Sequence, residues 1–564
     1  MKCMELYNLS IKHVDETIKK LMPYQVMEET SDSFGGMYSD EIGFCSLSSS
    51  ETMKLCWYLG CGYCSKESEF FAKDEILKRI SLCIKFVERF TRPSGLIDLR
   101  DRNYDSSPDT AFAMNRAALL IYMARHIEGV YKAKELEDIL SGFVKRSALA
   151  IKKDMGFHTP NHRWIISGTL AVAQELYPEL DLTDSINMFL NETIDLNSDG
   201  LYSEKSFLYS AHINDKLMHI YHTYNNEDIL DDIQKNCHAI LKLMNSDGAL
   251  LTTISIRQDN GKRVLPTEFL SCFLITGIIK KDNVILSGLE KIVKMAGVKN
   301  PELIYVFARY PQWKNKEFDI EPFDGNETVF MKESGIWGYK KDYLSLWAVR
   351  DKEKAISVAY GDVILSDVSI HCGYYAGARF IAKNFATHKN GLEIDFIPTY
   401  MEEQAYHMPG YWKPLGRPVT FDELPYHIID QRERSPRPDL SFKWKINVVD
   451  DEIKININSC GGLEKVPYSI EFSFEIPGEV YTEDMYMTAN GEQSMFLSHG
   501  SCTYRHGIYA ITVDSGECLH KFTTGNEKNK FKVFITSRLP TDKVITIKCH
   551  TLAGERCRSY YVSK

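Results

Sequence analysis

From about residue 10 to residue 315 the apolar side chains return every three to four positions, and beyond residue 327 they return at every second one. The first period is that of a helix with one face buried, the second that of a strand with one side in a core. The clearest helical run, Ala111-Phe-Ala-Met-Asn-Arg-Ala-Ala-Leu-Leu-Ile-Tyr-Met-Ala124, is rich in good helix formers and predicts a buried helix. Further helices are predicted over 75–90, 136–152, 164–176, 186–194, 211–223, 229–244, 268–279 and 284–296. Short turns separate them, as at Tyr177-Pro178, Asn197-Ser-Asp-Gly200 and Asn225-Asn-Glu-Asp228. Helices joined this closely form antiparallel hairpins, which stack into a solenoid or close into an α/α toroid.

The alternating pattern is plain in Tyr343-Leu-Ser-Leu-Trp-Ala-Val349, Glu452-Ile-Lys-Ile-Asn-Ile-Asn458, Tyr468-Ser-Ile-Glu-Phe-Ser-Phe-Glu-Ile476, Lys530-Phe-Lys-Val-Phe-Ile-Thr536 and Lys543-Val-Ile-Thr-Ile-Lys548. Half-buried antiparallel strands separated by Gly, Pro and Asp turns predict a β-sandwich. The expected organisation is therefore an all-helical domain over 1–315 and an antiparallel β-sandwich over 326–564, with the switch near 312–327. A subdivision of the sandwich is expected near 400–440, where the aromatic stretch Tyr400 to Tyr426 holds His407, Tyr411 and Trp412.

Composition narrows the class of protein. A chain of 564 residues exceeds what one hydrophobic core supports. A net charge of −10 excludes the concentrated cationic surface of a nucleic-acid binder, so any anionic ligand must meet local positive charge. No apolar run approaches the ~18 residues of a membrane span, and the first residues lack the h-region of a signal peptide, so a cytoplasmic protein is expected. The 14 Cys are read as free thiols, because Cys56, Cys61 and Cys64 have no second ligand pair in the pattern of a zinc site.

Four polar clusters interrupt the helical half: Ser106-Ser-Pro-Asp109-Thr110, Gly156-Phe-His158-Thr-Pro-Asn161-His162-Arg163-Trp164, Leu201-Tyr-Ser-Glu204-Lys-Ser206-Phe-Leu-Tyr209 and Ile256-Arg257-Gln-Asp259-Asn260. Each falls in a connection at a helix end, where a toroid places its cleft. Asn161 can donate, His162 can move a proton near neutral pH, Arg163 can grip a carboxylate, and Trp164 can offer a flat face to a sugar. Taken singly, the same residues read as ordinary helix caps and core side chains.

Taken together, the helical half followed by a sandwich, Asn161-His162, and Asp199-Gly200-x-x-x-Glu204-x-Ser206-x-x-Tyr209 resemble the heparinase II/III-like polysaccharide lyases. Pro108-Asp-Thr-Ala-Phe112, Thr159-Pro-Asn-His-Arg-Trp164 and Arg257-Gln-Asp259 resemble a branch of that family without a settled activity. The resemblance implies an incomplete α/α toroid. It also implies that Asn161 neutralises a uronate carboxylate, that Tyr209 is the acid and that His162 is a base or carboxylate ligand. Asp109, Arg163, Trp164, Glu204, Arg257 and Asp259 are then expected to bind substrate. The family's sandwich segment of closely spaced His and Asp is matched poorly by Ser366-Asp367-Val-Ser-Ile-His371, which leaves His371 as a further catalytic candidate and does not support a sandwich zinc site.

This chemistry needs no metal or organic cofactor. The expected partner is an anionic oligosaccharide, cut by β-elimination once hydrogen bonds to its carboxylate stabilise the developing enolate. The same architecture also suits a glycoside hydrolase, in which Asp109, Glu204 and Asp259 would supply the working carboxylates, or a carbohydrate-binding protein without turnover.

Overall fold

The computed structural model describes residues 2–552 except 42, 46–48, 101, 127–132, 375–376, 400–412 and 422–438. Much of the aromatic stretch from Tyr400 to Tyr426, with His407, Tyr411 and Trp412, therefore lies outside the described residues. Contacts divide the chain into two compact units, Met1–Leu243 with Gly248–Asp324, and Met244–Asp247 with Gly325–Lys564.

The first unit contains, among the described residues, twelve α-helices: α1 (Cys3–Leu21), α2 (Ser49–Cys64), α3 (Asp74–Arg89), α4 (Ser107–His126), α5 (Ala133–Lys153), α6 (Pro160–Leu176), α7 (Thr183–Leu190), α8 (Phe207–Tyr224), α9 (Glu227–Lys242), α10 (Leu270–Ile279), α11 (Asn283–Ala296) and α12 (Glu302–Arg309). Helices α2, α4, α6, α8 and α10 pack side by side as an inner row, and α3, α5, α7, α9 and α11 lie against them as the outer members of successive hairpins. The sequence explains which is which. The inner α2, α4 and α6 bury residues around most of their circumference, whereas the outer α3 and α9 bury a single stripe that includes Ile76, Ile80 and Val87 in α3 and Ile229, Ile233 and Cys237 in α9. Gly168 lets α6 and α8 touch: a Cβ there would stand 2.4 Å from the Lys216 carbonyl oxygen. The alternating inner and outer helices are those of an α/α toroid, with α1 packed on α12 through Tyr7 and Phe307, whose rings meet edge to face at 5.4 Å.

The second unit is built of antiparallel ladders in two series. One runs through Glu327–Met331, Ile336–Lys341, Leu344–Val349, Ile356–Tyr360, Val363–Tyr374, Pro467–Glu475 and Lys530–Arg538. The other runs through Gly377–His388, Gly391–Thr399, Leu440–Val449, Glu452–Gly461, Asp542–Thr551, Tyr509–Val513, Cys502–His506 and Gly478–Tyr481. They join where Tyr374 pairs with Gly377. The inward rows interdigitate in one apolar core containing Trp337, Trp444, Phe442 and Phe472. The antiparallel expectation fails at Lys530–Arg538, against which Gln493–Phe496 lies parallel and with which Cys518 forms a parallel bridge at Thr536. Residues Met244–Asp247 belong to this unit because Trp347 Nε1 donates to Asn245 Oδ1 at 2.6 Å and the Ser246 amide donates to Ser345 Oγ at 2.9 Å.

Candidate active site

Within the first unit, the N-terminal turns of α4, α6 and α8 carry three of the four polar clusters, and the loop after a short 3₁₀ turn, Thr252–Ile254, carries the fourth. Helix α6 begins at Pro160, four residues earlier than the predicted start at Trp164, because Pro at the first helical position has no N–H to lose and a backbone angle already suited to a helix. Asn161, His162 and Arg163 are thus in the first turn and not ahead of it. Helix α8 begins at Phe207, with Ser206 as its cap accepting the Tyr209 amide.

The cluster has a buried layer and a surface layer. In the buried layer Asn161, fully enclosed, donates from Nδ2 to Glu204 Oε2 at 2.6 Å and to Thr159 Oγ1 at 2.9 Å. Glu204 in turn pairs with Arg257 Nη1 at 3.3 Å through its other oxygen. Asp259 accepts from Ser206 Oγ and the Phe207 amide, each at 2.9 Å, and from Ser255 Oγ at 2.5 Å, so this one carboxylate joins the loop to the start of α8. In the surface layer the half-buried Tyr209 hydroxyl receives Arg257 Nη2 at 3.4 Å and Gln258 Nε2 at 3.3 Å, and the guanidinium of Arg257 stacks 4.8 Å from the Tyr209 ring centroid. A phenol oxygen that accepts two hydrogen bonds still has its own hydrogen to give. Arg257 Nε and Asn161 Oδ1 are buried and make no hydrogen bond among the described residues.

His162 sits beside this group. Burial pushes its ring down to about 4, against the nearby Asp109 charge that acts the other way, so it is neutral at ordinary pH. Its Nδ1 accepts the His158 amide at 3.3 Å, which places the remaining hydrogen on Nε2 and makes His162 a donor there. Asp109 is held by Ser106 Oγ at 2.5 Å and Asn103 Nδ2 at 2.9 Å.

Several expected substrate ligands are committed elsewhere. Arg163 binds Asp195 at 2.9 Å and Glu192 at 3.3 Å, and Trp164 has no exposed face: it is fully buried and its indole donates to Asp195 at 3.0 Å. Asn161 has spent both amide hydrogens on Glu204 and Thr159 and has none left for a substrate carboxylate. Asp259 is consumed as a helix cap. Gln258 has a place that its residue type alone did not reveal; the signal was only its position between Arg257 and Asp259.

His371 belongs to the second unit, in a buried polar network of its own. It faces Glu471 at 3.5 Å, Glu353 at 3.6 Å and Ser369 Oγ at 3.1 Å, and burial lowers its ring to about 4. Glu471 is bound by Lys532 at 2.8 Å and Thr524 at 2.5 Å. Neighbouring Asp367 accepts from Ser369 at 2.8 Å and is pushed up to about 8 by burial. Among the described residues no group of His, Cys, Asp and Glu has the arrangement of a metal site.

No family model and no curated protein matches the chain. Among solved structures it is similar to a heparinase III, at 9% identity and a TM-score of 0.51 over 96% of this chain and 84% of that one. It is similar to a chondroitinase AC lyase at 9% identity and a TM-score of 0.51, covering 100% of this chain and 84% of the other. A xanthan lyase of Paenibacillus matches at 8% identity and a TM-score of 0.56, over 98% of this chain and 58% of the other. At such identities the likeness is one of fold, an α/α toroid followed by a β-sandwich.

Proposed function

We propose that this chain is a carbohydrate-active enzyme that cleaves uronate-containing oligosaccharides by β-elimination, with Tyr209 as the proton-transfer group. The observation that carries this reading is the Tyr209 hydroxyl held by Arg257 and Gln258 beside a neutral His162. Removal of the C5 proton of a uronate requires its carboxylate to be met by donors, which the Nε2–H of His162 and the guanidinium of Arg257 supply. As its phenolate, Tyr209 takes the C5 proton, the C4–C5 double bond forms as the C4–O bond breaks, and the same proton passes from Tyr209 to the leaving oxygen. Proton and charge balance, and Arg257 and Gln258 stabilise the oxygen when it is negative. Asn161 and Glu204 act from beneath by fixing Arg257. The three solved lyases of the same fold support the substrate class.

The competing hydrolase would need a spare carboxyl. Asp109, Glu204 and Asp259 each already serve as acceptors for neighbouring donors. Incubation with uronate oligosaccharides separates the two readings, since elimination yields a conjugated unsaturated uronate that absorbs in the ultraviolet. New reducing ends without that absorbance would overturn the elimination.

A further inference from the structure

The face of α8 that carries Tyr209 continues inward. His212 and Lys216 follow it on the same side of the helix, and Lys216 lies about 10 Å along the axis from Tyr209. From α4, Phe112 and Arg116 reach the same region. The Phe112 ring meets His212 edge to face with centroids 5.9 Å apart, and the Arg116 charge is felt by both His212 and Lys216. Glu302, the first residue of α12, acts electrostatically on Arg116, Asp215, Lys216 and Glu268, so these five side chains form one group.

The group is deep and still wet. Burial raises Asp215 to about 7 and Glu268 to about 8 and lowers His212 to about 3, yet His212, Asp215, Arg116, Glu268 and Glu302 all keep partial contact with solvent. A recess inside the helical unit satisfies both conditions. Asp215 accepts from Ser271 Oγ at 2.8 Å, and Arg116 Nη1 donates to the Ser50 carbonyl at 2.9 Å. His212, Lys216, Glu268 and Glu302 make no side-chain hydrogen bond or ion pair among the described residues, although Lys216 is only 6% exposed. Deep polar groups without protein partners are met by water or by a ligand.

The mixture of charges selects that ligand. Arg116 and Lys216 repel a free cation, and Glu302, with Glu268 and Asp215 beside it, repels a free anion. Glu51 and Lys54 on α2, whose charges also reach the group, pair with each other at 3.9 Å. A hydroxyl both donates and accepts, so a molecule rich in hydroxyls finds partners in both sets, and bonds to charged groups are the stronger kind. The half-buried ring of Phe112 supplies the apolar face that a sugar ring needs beside those bonds.

We infer that this recess binds an uncharged sugar unit by its hydroxyls. Joined to the function proposed above, on which this clause rests, it makes the substrate a mixed saccharide that carries a neutral sugar next to its uronate. The test is saturation-transfer NMR of glucose, galactose, mannose and rhamnose, with glucuronate as the anionic counterpart. Each is titrated against the full chain, Lys216→Met, Glu302→Gln and Tyr209→Phe, with thermal melts to check folding. At least one neutral sugar is expected to bind, with a dissociation constant raised about tenfold or more in Lys216→Met and Glu302→Gln, the effect of losing one hydrogen bond to a charged group. Tyr209→Phe should leave that binding unchanged. If Lys216→Met does not fold, the half-exposed and nearly isosteric Glu302→Gln carries the test. Binding by none of the four neutral sugars, or binding within twofold of the parent in the folded variants, would overturn the subsite. So would a loss confined to glucuronate. Hydrolysis of a neutral glycoside that Glu302→Gln abolishes would make the recess catalytic and overturn a binding role. A protein that forms no unsaturated product yet holds a neutral sugar through Lys216 and Glu302 keeps this inference and discards the elimination; an active lyase without such binding does the reverse.

Discussion

Tyr209→Phe removes one oxygen and leaves the ring under Arg257 in place, so it separates chemistry from packing at the level of a single atom. Turnover should fall by about 10²-fold or more while substrate still binds. Stability should change by at most about 1 kcal/mol, the worth of a half-buried hydroxyl's hydrogen bonds, as a thermal melt would show. Undiminished turnover in that variant would remove Tyr209 from the mechanism. At this scale the sequence was legible in part. Tyr209, His162 and Arg257 were identifiable by residue type and motif, and the structure brings them together. Trp164 and Arg163 were misleading because residue type says what a side chain can do and nothing of what already occupies it. Asp195, which takes both, lies about thirty residues further on, in no recognisable pattern with them.

Asp259 shows what elements require of each other. Its carboxylate fastens the Arg257–Gln258 loop to the first turn of α8, so both donors to Tyr209 depend on one buried anion. Asp259→Asn keeps the shape but replaces one acceptor oxygen by a donor facing the Phe207 amide or a serine. It should cost about 1–3 kcal/mol in a chemical melt. Turnover should fall with little change in KM if the loss is misplacement of Tyr209; a fall in stability with full turnover would reduce Asp259 to a plain cap. The period of the apolar residues revealed the five outer helices and, of the inner row, all but α2, but it placed the starts of α6 and α8 too late, because Pro160 and Ser206 lie ahead of the first apolar repeat. Strand Pro467–Glu475 shows the opposite failure. Its alternation predicts one wet face, yet Ser469, Glu471 and Ser473 are buried, and Glu471 meets Lys532, His371, Thr524 and Ser473. A buried polar face and a solvated one have the same pattern in sequence.

Across the whole molecule, burial displaces titrations in both directions. Asp215, raised to about 7, and Glu268 and Asp367, raised to about 8, hold protons in the fold that the unfolded chain has released, so stability is lost as pH rises from about 4 towards 8. His162 and His371, lowered to about 4, and His212, lowered to about 3, refuse protons that the unfolded chain takes up near 6.5, so stability is lost as pH falls below that value. Between about pH 4 and 6.5 the two sets oppose each other, so urea midpoints should be nearly level there and decline from pH 6.5 towards 8, with Asp367→Asn flattening that alkaline limb; a steady rise from pH 6.5 to 8.5 would contradict it. The change of period near residue 320 made the helical and β halves legible, but not the return of Met244–Asp247 to the second unit, which local pattern does not encode. That detour has a consequence for biosynthesis. Asn245 leaves the ribosome 102 residues ahead of Trp347, its partner, while the last helices, α10 to α12, are still to be made. The hydrogen bonds of this loop can therefore form only after every helix of the first unit and a strand of the second have been translated.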